Sequence, residues 1–277
     1  MTVQNKNENN EQKKLLYKIL LVIFLIIFVA CIVILIYQKK VQEDAEQRFE
    51  DLANMTIETE SNEVEEELET EVTEEPEILD VEIPEKNLDW NALYKENEDI
   101  YAWIYIPNTN VDYPILQHPT ELDYYLNRNL DGSSGYPGCI YTQNLNSTDF
   151  MDPMTVIYGH NMKNGSMFQT LHDFADGAFF EENKYVYIYT PDASYVYEIF
   201  AAYEYSDKHL LYTNDFESPE SFEVYLDGVK ATRGMSDHVR ETTEVDGYSH
   251  VITLSTCISG KPNNRWLVQA VMLNDPN

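Results

Sequence analysis

From Ile19 to Tyr37 the chain reads ILLVIFLIIFVACIVILIY, a run without charge, glycine or proline. At 1.5 Å per helical residue such a run is about as long as a bilayer's hydrocarbon core is thick. Inside lipid only a helix satisfies the backbone of a single apolar segment. A cleaved secretory signal would have a shorter apolar core, roughly 7–15 residues, followed by a small-residue cleavage site. Here YQKKVQEDAEQ follows instead. The run is therefore expected to be an uncleaved transmembrane anchor over 19–37, after a short N-terminus, 1–18. Lys13, Lys14 and Lys18 precede it and Lys39 and Lys40 follow it. That balance leans towards a cytoplasmic N-terminus by the positive-inside bias.

The next stretch, 38–86, differs in kind. ETESNEVEEELETEVTEEPE lies at its centre, with almost no aromatics and one arginine across Glu43–Glu85. Such a composition buries too little apolar surface to offset its ordering entropy. It is expected to be an extended, self-repelling acidic linker, with a helix allowed over part of Gln42–Ala53. The whole chain carries a formal charge of −31. This argues against a nucleic-acid partner, since such binders neutralise phosphates with Lys and Arg.

From 87 to 277 the composition becomes globular, rich in tyrosine and mixed in charge. Asp89 is placed to cap a short helix whose Trp90, Leu93 and Tyr94 share a face. IYAWIYIPNTNVDYPILQ reads as strand, turn, strand around Pro107–Asn110. A short helix is expected at Glu121–Leu126 and a short strand at CIYTQ. Further strands are expected at Met154–Tyr158, Tyr185–Thr190, Ser194–Tyr205, Val251–Thr256 and Trp266–Leu273. Ser218-Pro219 opens a helix with Pro at its first position, and Phe222, Leu226 and Val229 form its core-facing stripe. The fold class is mainly β: short strands punctuated by turns, with peripheral helices, suggest a closed or nearly closed barrel.

The chemistry is narrowed first by absence. There is no GxxxxGK[ST], GxGxxG or HExxH, and no Cys/His set with metal-ligand spacing. No cofactor and no metal are expected. Of three cysteines, Cys31 falls in the apolar run and Cys139 and Cys257 in the folded part. Outside a cell the latter two could pair as a disulfide, or Cys257 could be a small buried hydrophobe. A third reading is chemical. Cys257 ends the apolar strand VITLST, where a side chain is held firmly yet can open to a groove. A thiolate there could attack a carbonyl. It would need a proton donor for the leaving group and a cation or N–H for the oxyanion. His160 directly follows the strand end MTVIYG, and Arg265 starts the last strand, eight positions after Cys257. Two antiparallel strands joined by ISGKPNN would bring Arg265 beside Cys257. The other histidines, His118, His172, His209, His238 and His250, stand in polar or loop contexts that suit surface or capping roles.

TLSTC (Thr253–Cys257), with YGHNM (Tyr158–Met162) upstream and RWLVQA (Arg265–Ala270) downstream, resembles the class B sortases. IPNTNVDYPILQ, YYLNRNLDGSSGYPG and the helix at 219–229 resemble class B stretches too, so the likeness spans about Leu88–Leu273. The resemblance implies an eight-stranded sortase β-barrel with extra helices, acting as a cysteine transpeptidase. It implies a single-pass protein of a Gram-positive cell membrane, with a cytoplasmic N-terminus and an extracellular catalytic domain. By the same resemblance Cys257 is the nucleophile, His160 the general acid/base and Arg265 the oxyanion or substrate stabiliser. Ser255 matches a serine near the bound sorting peptide. The implied partners are surface proteins with a C-terminal NPxTx-type motif and an amine of peptidoglycan or its lipid-linked precursor. The alternatives are a pilin-polymerising sortase, a thiol hydrolase, or a non-catalytic membrane-tethered binding module on the same barrel.

Overall fold

The computed structural model describes residues 4–54 and 81–274, so the middle of the expected linker, 55–80, lies outside the described residues. The chain divides into two compact units, Met1–Gln47 and Arg48–Asn277. Among the described residues the first unit is helical throughout, formed by helix α1 (Gln4–Ala53), whose last residues from Arg48 on belong to the second unit. By length and composition it is, among those residues, the one helix able to cross a membrane. Its apolar side chains from Ile19 to Ile36 lie largely uncovered by protein.

The expected linker boundaries need correction at both ends. Residues 38–53 are helical, with the helix allowed over part of Gln42–Ala53 present, and Phe49 and Leu52 are each only 2% exposed in the core of the second unit. The Phe49 ring meets that of Tyr113 edge-on at 5.6 Å. Two apolar residues three apart share a helix face, and the surrounding acidic composition masks so short a signal. At the other end Val81 and Ile83 already pack on the core. The Tyr189 hydroxyl donates to the Pro84 carbonyl (2.8 Å), and Lys86 Nζ lies 2.7 Å from Asp112. The folded unit thus takes in residues on both sides of the acidic centre and does not begin at 87.

Short helix α2 (Trp90–Glu96) follows, with Asp89 Oδ1 accepting from the Ala92 N–H at 3.0 Å. The strands are β1 (Ile100–Tyr105), β2 (Asp112–Leu116), β3 (Ile140–Thr142), β4 (Met154–Tyr158), β5 (Tyr185–Tyr189), β6 (Ser194–Ser206), β7 (His238–Val239), β8 (Val251–Ile258) and β9 (Lys261–Met272). They hydrogen-bond in the order β5-β1-β2-β3-β4-β8-β9-β6, and β6 returns to β5. Eight strands therefore close a barrel, as expected, and the two-residue β7 adds to the side of β6. Closure leaves no long unpaired edge.

Several local expectations shift. The helix expected at Glu121–Leu126 is a single 3₁₀ turn, Tyr124–Asn127. The loop expected between the last two strands is a tight turn at Ser259-Gly260, with Gly260 at φ +80°. Glycine adopts that left-handed backbone without a steric penalty. Strand β9 consequently starts at Lys261, four residues before the RWLVQA pattern that marks it in the sequence. Helices α3 (Gly177–Glu182) and α4 (Leu210–Thr213) are short and had no sequence signal.

Two hydrophobic clusters flank the sheet. The larger fills the barrel, with Ile104, Ile157, Leu254 and Val268 among its members. The smaller lies on the other face of β4, β8, β9 and β6, beneath α5 (Pro219–Lys230). Ser218 Oγ caps α5 at the Ser221 N–H, and Phe222, Leu226 and Val229 are buried as the stripe requires. Gln269 Nε2 donates to Thr253 Oγ1 and to the Tyr225 hydroxyl, both at 2.7 Å, tying α5 to the sheet. Because β8 is covered on both faces, it reads as a near-continuous apolar run and not as an alternation.

Candidate active site

The topology brings three strand ends together. Strands β4 and β8 run parallel with Tyr158 opposite Ser255, so His160 and Cys257 each lie two residues beyond that pair. Neighbouring strands are about 4.8 Å apart. Strand β9 runs antiparallel to β8 and sets Arg265 opposite Cys257, the arrangement expected from the sequence. A cleft of about 330 Å³ opens here, lined by His160, Ser255, Cys257 and Arg265 together with residues of the β6–α4 segment. All four residues singled out in the sequence thus face one cavity.

Each is held differently. Cys257 is exposed and unpaired, whereas Cys139 is buried and unpaired, with its thiol donating to the Arg128 carbonyl at 3.3 Å. No disulfide joins them. Thr253, Ser255 and Cys257 lie on one face of β8 and line the cleft, and Thr256 lines it too. Ser255 is 8% exposed, and its carbonyl accepts from the Gly159 N–H at 3.2 Å.

His160 is fixed by its backbone and its ring. A β-carbon on Gly159 would lie 2.5 Å from Ile140 Cδ1 and 2.6 Å from Phe168 Cδ2, so only glycine fits just before it. The His160 carbonyl accepts from the Phe168 N–H at 2.9 Å. Its ring donates through Nε2–H to the Leu126 carbonyl at 2.6 Å. A carbonyl can only accept, so the neutral ring is the Nε2–H tautomer and Nδ1 keeps the lone pair. The Tyr136 ring lies 5.0 Å away, centroid to centroid. Burial pushes the imidazole pKa below its ordinary value, and the Leu126 bond pulls part of the way back.

Arg265 is half-buried and folds Nη1 onto the carbonyls of Pro262 (3.0 Å) and Asn264 (2.9 Å). Those bonds orient a guanidinium that lines the cleft. Elsewhere in the cavity lining, Asp123 accepts from Gln143 Nε2 (2.8 Å) and from the Tyr141 hydroxyl (3.0 Å), and His209 donates to Gln143 Oε1 (2.7 Å). Burial lowers the His209 pKa, against the opposing pull of Asp123.

Two histidines read as surface or capping residues therefore have other settings. His209 lines the cleft, and His172 reaches the Cys257 carbonyl at 3.0 Å. Neither has a local sequence signal, since each acts on a partner more than sixty residues away. His118 does cap, accepting at Nδ1 from the Glu121 N–H at 2.9 Å. Among the described residues no group of three or more His, Cys, Asp or Glu could hold a metal ion.

A thiol, an imidazole and a guanidinium on three adjacent strand ends can carry out acyl transfer. The comparisons point the same way. The sortase domain family matches residues 104–273. A sortase B of Listeria monocytogenes is 37% identical over 169 residues, 61% of this chain and 67% of that protein. The crystal structure of Clostridium perfringens sortase B superposes with a TM-score of 0.60 at 30% identity, covering 66% of this chain and 99% of that one. A Staphylococcus aureus sortase B–substrate complex superposes with a TM-score of 0.58 at 27% identity, covering 66% of this chain and 84% of that one. The chain belongs to the sortase family and, within it, to the class B cysteine transpeptidases.

Proposed function

We propose that this sortase cleaves an NPxTx-type motif after its threonine and joins the new acyl end to an amine of peptidoglycan or its lipid-linked precursor. The single observation that carries this reading is the shared cleft of His160, Cys257 and Arg265 on neighbouring strand ends. In the first half-reaction His160 Nδ1 takes the Cys257 proton, and the thiolate adds to the threonine carbonyl. Arg265 offsets the charge on the oxyanion, a role in which fixed donors count for most. The C–N bond breaks as imidazolium returns its proton to the departing amine, leaving a thioester on Cys257. In the second half the acceptor amine adds to the thioester, gives its proton to His160, and expels the thiolate. The thioester preserves acyl energy, so the new amide forms without ATP. Ser255, buried at the cleft floor, contacts the bound motif.

The apolar span of α1 would anchor the enzyme as a single-pass protein of the cell membrane. With its N-terminus cytoplasmic, the barrel would face outwards, towards the surface proteins and the wall amine. The test uses full-length protein, an NPxTx peptide and an added amine. Cys257→Ala and His160→Ala should each abolish amide formation, and wild type should give amide in preference to acid. Activity surviving either substitution removes that residue from its role.

A further inference from the structure

The carbonyl of Cys257 is held by two side chains from distant parts of the chain. Asn161 Nδ2 donates to it at 2.9 Å and His172 Nε2 approaches it at 3.0 Å. A carbonyl oxygen offers only lone pairs, so His172 bonds it in the Nε2–H tautomer. In the Nδ1–H tautomer Nε2 instead accepts from Asn161 Nδ2, 3.0 Å away, and Asn161 alone holds the carbonyl, so holding by both side chains requires the Nε2–H ring.

The place of this bond is informative. The β8–β9 ladder is regular up to Cys257 and shifts register between Cys257 and Ile258. Regular pairing therefore stops at the residue whose side chain must be aimed. The carbonyl direction sets the ψ angle of Cys257, and side chains take over there from the sheet. Neither Asn161 nor His172 is among the residues that line the cleft.

His172 is itself well anchored. Its ring stacks on Trp266 at 5.9 Å with planes 29° apart, and Trp266 is the register partner of Thr256. The Trp266 indole N–H donates to the Leu171 carbonyl at 2.8 Å, tying the 3₁₀ segment Gln169–Ala175 to β9. Asn161 directly follows His160 in the chain. The bonds on one carbonyl thus join the loop that carries the imidazole, the strand end that carries the thiol, and a separate helical turn.

We propose that His172, acting with Asn161 through the Cys257 carbonyl, is a positioning residue that fixes the thiol relative to the imidazole of His160. This rests on Cys257 being the nucleophile. Misplacing a reacting atom by about 1 Å can cost on the order of 100-fold in rate, so the clamp should act on kcat and leave peptide binding alone.

The experiment measures kcat and KM of full-length enzyme in detergent micelles with an NPxTx peptide and a saturating amine. His172→Phe keeps an aromatic ring on Trp266 but removes the donor. It should lower kcat by about 10- to 100-fold with KM unchanged. His172→Gln gives up the stacking but offers an amide N–H at similar reach, and should recover most of the rate. Asn161→Ala should lower kcat in the same sense. If His172→Phe does not fold, as judged by its melting transition, His172→Leu is the second donor-less variant and should give the same split. Wild-type kcat in a folded donor-less variant, a loss expressed in KM, or a Gln variant as slow as the donor-less one would each overturn the proposal. Cys257→Ala runs alongside: an active Cys257→Ala enzyme defeats the nucleophile assignment, whereas an inactive one beside a wild-type-like His172→Phe enzyme defeats only the clamp.

Discussion

Gly159 leaves no room for a side chain, since a β-carbon would press on Ile140 and Phe168 at under 3 Å. Gly159→Ala should cost about 1–3 kcal/mol through overpacking and, because His160 is the next residue, should lower activity beyond the loss of folded protein. Thermal melting and turnover measured on the same preparation separate the two effects. His160 is expected to titrate below the ordinary histidine value of about 6.5, because burial disfavours its charged form. Tyr136→Ala strips an aromatic neighbour from the ring, so its titration midpoint should rise back towards 6.5. Histidine NMR resonances followed against pH read this directly, and an unchanged or lower midpoint would contradict it. Arg265→Lys should lower kcat/KM by well over tenfold, since an ammonium cannot reproduce the planar fork that the Pro262 and Asn264 carbonyls orient. At this scale the sequence was most readable where a residue ends a strand. His160, Cys257 and Arg265, which line one cleft, were all singled out that way. His172 and His209 were not, because what defines them is a tertiary contact across the fold.

Among the elements, the last turns of α1 depart furthest from their sequence reading. Glutamate-rich composition pointed to a spacer, yet Phe49 and Leu52 are buried against the barrel unit. Two apolar residues in an acidic stretch give no stripe long enough to read as amphipathic. Phe49→Ala should cost about 3–5 kcal/mol and Leu52→Ala about 2–5 kcal/mol of barrel stability, seen as a lower denaturation midpoint. Substitution at exposed Glu50 should be nearly silent. A flat response at Phe49 and Leu52 would return this segment to the linker. The hairpin of β8 and β9 shows the converse limit. Its apolar parts were legible, but β9 also takes in Lys261–Asn264, three polar residues and a proline, of which Lys261 pairs with Ile258 and Asn264 with Ser206. No hydrophobic period could have marked them.

For the molecule as a whole, the strand pattern and turn spacing were enough to suggest a closed barrel, and the pairing of β5 with β6 closes it. Strand order and the parallel β4–β8 pairing are long-range facts that no local window carries. They matter most, because they set the imidazole and the thiol side by side. The fold also has a pH dependence of definite sign. Burial lowers the pKa of His160, His172 and His209. The unfolded chain therefore binds more protons than the native one as pH falls below about 6.5, and stability declines through the depressed folded values. Relief of acidic self-repulsion requires protonating carboxylates, which begins lower, near their ordinary values of about 4. The melting temperature should thus fall on acidification from about pH 7 to 5.5, and a rise over that window would contradict the burial of these rings.

Cys257 should form a thioester in the cleft it shares with His160 and Arg265. Full-length enzyme mixed with an NPxTx peptide, quenched in acid before amine is added, digested and mass-analysed tests it directly. The fragment that contains Cys257 should carry the acyl mass of the peptide up to its threonine, lost when an amine is supplied before quenching. Turnover with no adduct, or an adduct on any other residue, would contradict it.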